Sequence, residues 1–188
     1  MAKIKTILLL IIIAISLHSC SIFVGTKTLY RANNSEKINL WGYTYLDNDS
    51  IISIIYPQAD SVFTSTIVET FSKYSLEIPT KIYGNISFDQ PDTVKIISIC
   101  KENNLDGLLL SKLGFINTTY YVYFIPAMSN VDAEVEMKLF TKDGKVVAVT
   151  RHNTYKGSDY WVAPTTAKTI HDATQRALKK IIKILDKT

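Results

Sequence analysis

The chain has 188 residues, with 21 Lys and Arg against 17 Asp and Glu, and 47% of it is hydrophobic. That length fits one domain, and a formal charge of +4 with no block of like charge argues against nucleic acid as a partner. Two cysteines, Cys20 and Cys100, are too few for a disulfide framework.

Residues 1–20, MAKIKTILLLIIIAISLHSC, begin with Lys3 and Lys5. They continue as an apolar run from Ile7 to Leu17 broken only by Ser16. A charged start, a short apolar stretch and small residues at the exit make a signal peptide. The run is about a dozen residues, short of the roughly 20 of a membrane-spanning helix. Extending it through Ile22, Phe23 and Val24 would bury His18, Ser19 and Cys20. Leu17-His18-Ser19-Cys20 resembles the lipobox of bacterial lipoproteins, departing from it at His18, where Ala, Ser, Thr, Val or Ile is usual. The resemblance covers these 20 residues. It implies cleavage after residue 19 and a diacylglyceryl thioether on Cys20, usually with a third acyl chain on the new amine. One acyl chain holds a protein only reversibly, whereas two or three anchor it. Ser21 in place of Asp implies, by the enterobacterial sorting rule, the outer membrane, facing the periplasm. With Cys20 lipidated, Cys100 has no thiol to pair with.

Residues 20–36 read as the lipidated N-terminus and a polar tether, and 37–188 as a single α/β domain. A strand is expected over Lys37–Leu46. A buried central strand is expected over the apolar run Ile51–Tyr56, closed by Pro57. Asp60-Ser61 offers an N-cap to a helix with Phe63, Ile67, Phe71 and Tyr74 on one face. A short strand, Lys81–Ile86, precedes a second helix opened by Pro91-Asp92-Thr93 and running to about Asn103. Cys100 is expected as a buried, inert thiol of that helix.

Leu105-Asp106-Gly107 leads into a strand continuing toward Thr119, and the aromatic stretch Tyr120–Ile125 stops at Pro126. Val131–Thr141 alternates, with Val131, Ala133, Val135, Met137 and Leu139 on one face and Asp132, Glu134, Glu136 and Lys138 on the other. Asp143-Gly144 predicts a hairpin turn into Val146–His152, and a two-residue loop sets Glu136 opposite Arg151. Pro164 opens a last helix with Ile170, Thr174, Ala177, Leu178, Ile181 and Leu185 as its buried stripe. The predicted fold is α/β (α+β). It is a mixed β-sheet with about three helices, β-α-β-α followed by an antiparallel meander and a C-terminal helix.

Across residues 50–186 this pattern resembles the small α/β domains of envelope lipoproteins. Among them are the lipoprotein activators of penicillin-binding proteins, the curli-secretion lipoprotein and the N-terminal domain of the Tol translocation protein. Leu105-Asp106-Gly107-Leu108-Leu109-Leu110 and the hairpin around Asp143-Gly144 carry the likeness; Gly107 departs from it, replacing a bulkier residue. The resemblance implies a non-catalytic module that docks on another envelope protein.

No nucleophile elbow, P-loop or GxGxxG is present, so no enzyme, cofactor or metal site is expected. His152 and His171 lack metal-ligand spacing, and Asp132, Glu134 and Glu136 lack the glycine-bearing turn of a calcium loop; they read as a solvated sheet face. Asp49-Ser50-Ile51, Asp60-Ser61-Val62 and Asp92-Thr93-Val94 resemble Bacteroidetes-type O-glycosylation acceptors. Tyr120, Tyr121, Tyr123 and Phe124, with Tyr160 and Trp161, are the candidate partner surface, since exposed Tyr and Trp clusters mark binding sites. Covering the sheet end is their other reading. The same aromatics used as a stacking platform make a small-molecule or glycan binder the alternative function.

Overall fold

The computed structural model describes residues 25–33, 38–44, 47–48, 54, 56–83, 86–122, 125–155 and 165–186, with 47–48, 116–122 and 125–130 described through their backbone pairing. In chain order the elements are β1 (Gly25–Arg31), β2 (Trp41–Thr44), β3 (Asp47–Asn48), α1 (Ala59–Lys73), β4 (Thr80–Ile82), α2 (Thr93–Glu102), β5 (Gly107–Val122), β6 (Ile125–Thr141), β7 (Val146–Asn153) and α3 (Thr166–Leu185). They form one mixed sheet in the order β1-β7-β6-β5-β2-β4, with β3 also on β5. The β5–β6–β7 meander is antiparallel, whereas β2 runs parallel to both β4 and β5.

Two apolar layers follow from the period-two alternation of the strands. Leu109, Leu113, Ala133, Val135, Met137 and Leu139 face α1 and α3, which supply Phe63, Ile67, Phe71, Ile170, Leu178 and Ile181. On the opposite face Leu108, Leu110 and Phe140 pack with Ile96, Ile99 and Cys100 of α2 and with Phe88.

Local chemistry sets the helix ends. Asp92 caps α2 by accepting from the Lys95 amide, and Thr165 caps α3 by accepting from the Lys168 amide. Helix α1 starts earlier than expected, with Gln58 rather than Asp60 at its cap. Asp60 lies in the first turn, where a carboxylate suits the helix dipole, and it takes the Lys81 ammonium at 2.7 Å, tying α1 to β4. Ser75 and Asn104 adopt positive φ after α1 and α2. The next amides, Leu76 and Leu105, reach back to the carbonyls of Phe71 and Cys100, closing both helices in Schellman fashion.

Three expectations about the strands need correction. Within the expected tether, Gly25–Arg31 is strand β1, paired antiparallel with β7 from Gly25↔Asn153 to Arg31↔Ala148. Of the expected central strand Ile51–Tyr56, the described residues are Ile54, which is helical and 80% exposed, and Tyr56, which lies outside any strand; Leu108–Leu110 of β5 occupy the centre instead. Pro126 does not end a strand. It sits inside β6 opposite Tyr121, next to a register shift between Tyr120 and Tyr121, where a missing N–H is tolerated.

The hairpin register agrees with expectation while its loop differs. Glu136 lies opposite Arg151, but Phe140 pairs with Val146, and a bulge between Leu139 and Phe140 restores the alignment. The Arg151 guanidinium then bonds Glu134, at 2.5 Å, rather than Glu136. Gly107 also finds its reason: a Cβ there would stand 2.6 Å from the Phe140 carbonyl oxygen.

Candidate functional site

The two longest strands build the site. Strands β5 and β6 pair continuously from Gly107↔Thr141 to Val122↔Ile125. Their neighbours stop much earlier: β7 accompanies β6 between Glu134 and Phe140, and β2 and β3 accompany β5 only as far as Leu113. Beyond these limits the strands pair, among the described residues, only with each other. The result is a two-stranded arm about 26–30 Å long at 3.3 Å per residue. Isolated two-stranded ribbons are marginal in water.

Tyr120 and Tyr121 lie on this arm, paired with Met128 and Pro126. Tyr123, Phe124, Tyr160 and Trp161 fall outside the described residues, as do Cys20 and the leader. Sequence reasoning read Tyr120–Ile125 as an aromatic stretch that stops at Pro126. It missed the arm because the signal is a pairing pattern, with Asn117-Thr118-Thr119 facing Ser129-Asn130-Val131 across the hairpin.

The remaining polar candidates serve the fold. Asp132 is buried, 2% exposed, and not part of a solvated face: the chain after β7 folds back, the Thr154 hydroxyl donates to its carboxylate and accepts from the Ala133 amide, and the Thr154 amide donates to the Ala133 carbonyl. Glu134 is held by Arg151 and by the Asn153 amide at 3.0 Å. Lys138 crosses the Phe88 ring, 4.1 Å from its centroid, and donates to the Phe88 carbonyl. Lys112 binds Asp89 at 2.5 Å, a hydrogen bond that lowers the Asp89 pKa.

The two histidines differ sharply. His152 is 5% exposed, with Nδ1 2.7 Å from the Thr26 hydroxyl, and burial together with the Arg176 charge lowers its pKa to about 4. His171 is half-buried and bridges Glu69 of α1 and Asp172, each at 3.2 Å. Among the described residues no three His, Cys, Asp or Glu side chains gather as metal ligands. Burial pushes the Cys100 thiol up to about 11, an unreactive state. An open cleft of about 430 Å³ beside Cys100 sets Lys101 and Lys142 against Asp106 and Asp143. The Asp106 carboxylate is engaged there by the amides of Asn39 and Leu40.

No family model matches the sequence, and no curated protein is similar to it. Among solved structures it is similar to the PelC dodecamer from Paraburkholderia phytofirmans. The TM-score is 0.54 in one crystal form, at 10% identity over 85% of this chain and 96% of that one. In a second form it is 0.55, at 10% identity over 81% and 94%. The likeness establishes the fold. Lipoprotein GNA1162 from Neisseria meningitidis resembles it more loosely, with a TM-score of 0.35 at 10% identity over 79% of this chain and 99% of that one. Among the described residues no helix is long and apolar enough to cross a membrane.

Proposed function

We propose that this chain is a bacterial envelope lipoprotein, acylated on Cys20 and held at the outer membrane facing the periplasm. Its α/β domain serves as a non-enzymatic protein-binding or assembly module. The observation that carries the reading is the β5–β6 arm, which outruns the other described strands and bears Tyr120 and Tyr121. Two further facts support it. Asp60 and Lys81, and Glu134 and Arg151, are paired within the fold, and the fold is that of a protein crystallised as a dodecamer.

Photo-crosslinking in living cells tests this, with probes at Tyr121 and Trp161 and a control at Lys142 in the β6–β7 turn. A single heavier band from the aromatic positions alone is expected, at the mass of another envelope protein or of a second copy. No band from either position would favour the glycan or small-molecule alternative, for which the aromatics act as stacking platforms.

A further inference from the structure

The strand found where a tether was expected changes how the domain meets its membrane. Four residues separate Cys20 from Gly25. Five steps of chain span at most about 18 Å, so lipid on Cys20 holds the β1 end of the sheet against the headgroups.

The edge so placed has the chemistry of a membrane-facing surface. Strand β1 is an outer strand, and Lys27, Leu29, Tyr30 and Arg31 on it are exposed, with Leu29 at 43% and Tyr30 at 49%. Lys27 and Tyr30 lie opposite Arg151 and Val149, whereas Arg31 lies opposite Ala148 on the α3 side. Helix α3 adds charge to the same edge. Its flank toward α1 carries His171, bonded to Glu69. Arg176 and Lys180, both exposed, stand about 140° and 180° further round. Arg176 acts electrostatically on His152, which bonds Thr26 of β1, so that flank borders the strand. Asp172 is held by Lys168 and His171, and Glu134 by Arg151. Basic side chains interleaved with Leu and Tyr match an anionic lipid surface.

We infer that the β1 edge, with Lys27, Leu29, Tyr30, Arg31, Arg176 and Lys180, lies on the anionic bilayer that holds the lipid on Cys20. The opposite sheet edge, at β4, and the β5–β6 arm are then left for partners. This rests on the proposed acylation and adds an orientation to it.

The acylated full chain in vesicles containing phosphatidylglycerol provides the test. A nitroxide is placed at Leu29→Cys on the β1 edge or at Ile78→Cys beside β4, about 24 Å away by five strand spacings. Relaxation by nickel chelated to lipid headgroups is expected to be several-fold stronger at position 29. The contrast should shrink in K27E/R31E. Equal relaxation at both positions, or stronger relaxation at 78, would overturn the inference while leaving the anchor intact. Wild-type protein in the soluble fraction, with Cys20→Ser changing nothing, would overturn the anchoring reading and the inference with it.

Discussion

Single atoms decide several positions. The Cβ of Gly107→Ala would press on a backbone oxygen, a clash that a rotamer change does not relieve. Overpacking of this kind costs about 1–3 kcal/mol. Gly114→Ala on the same strand meets nothing within 4 Å, so thermal melting should show a clear loss for the first and near-neutrality for the second. Histidine 152 makes stability depend on pH. The folded protein keeps it neutral to about pH 4, whereas an unfolded histidine takes its proton near 6.5. Stability is therefore full above pH 6.5 and falls as pH drops toward 4, by up to about 3 kcal/mol. Asp89 and Asp172, whose pKa values are lowered, add their losses only below that window. Urea midpoints for His152→Gln should be nearly flat between pH 6.5 and 4; an unchanged slope would contradict the assignment. The inert Cys100 was legible in the sequence because an apolar helix face buries whatever lies on it. The burial of His152 was not, because it depends on Thr26, 126 positions away.

Among the elements, those with strong internal signals were readable. Phe63, Ile67 and Phe71 mark α1, and Asp92 marks the start of α2. The stripe from Ile170 to Ile181 marks α3, and the alternation from Ala133 to Leu139 marks β6. Strand β1 was hidden because an edge strand exposes much of both faces, so Gly25–Arg31 shows no apolar alternation. The arm was hidden by Pro126, which reads as a stop although an unaccompanied strand beside a register shift accommodates it. Because β5 and β6 beyond Gly114 and Ala133 lean on no other described strand, the arm should contribute little to global stability. Replacing residues 118–130 with Asn-Gly joins the paired Asn117 and Val131 by a two-residue turn. The melting temperature should move by only a few degrees, and a collapse of the fold would show that the arm is part of the core.

At the scale of the whole molecule, the sheet lies between two apolar layers, with β1 and β4 at its edges and the arm extending beyond the other described strands. Acylation makes a plain prediction: Cys20→Ser should move the protein from the membrane to the soluble fraction, as seen by fractionation and intact mass. The measurement that bears most directly on the proposed role compares wild type with the arm-shortened chain. Each is purified from crosslinked envelopes under identical conditions. A protein, or a second copy of the chain, recovered with wild type and absent from the shortened form is the expected result. Identical recovery from both would contradict a docking role for the arm.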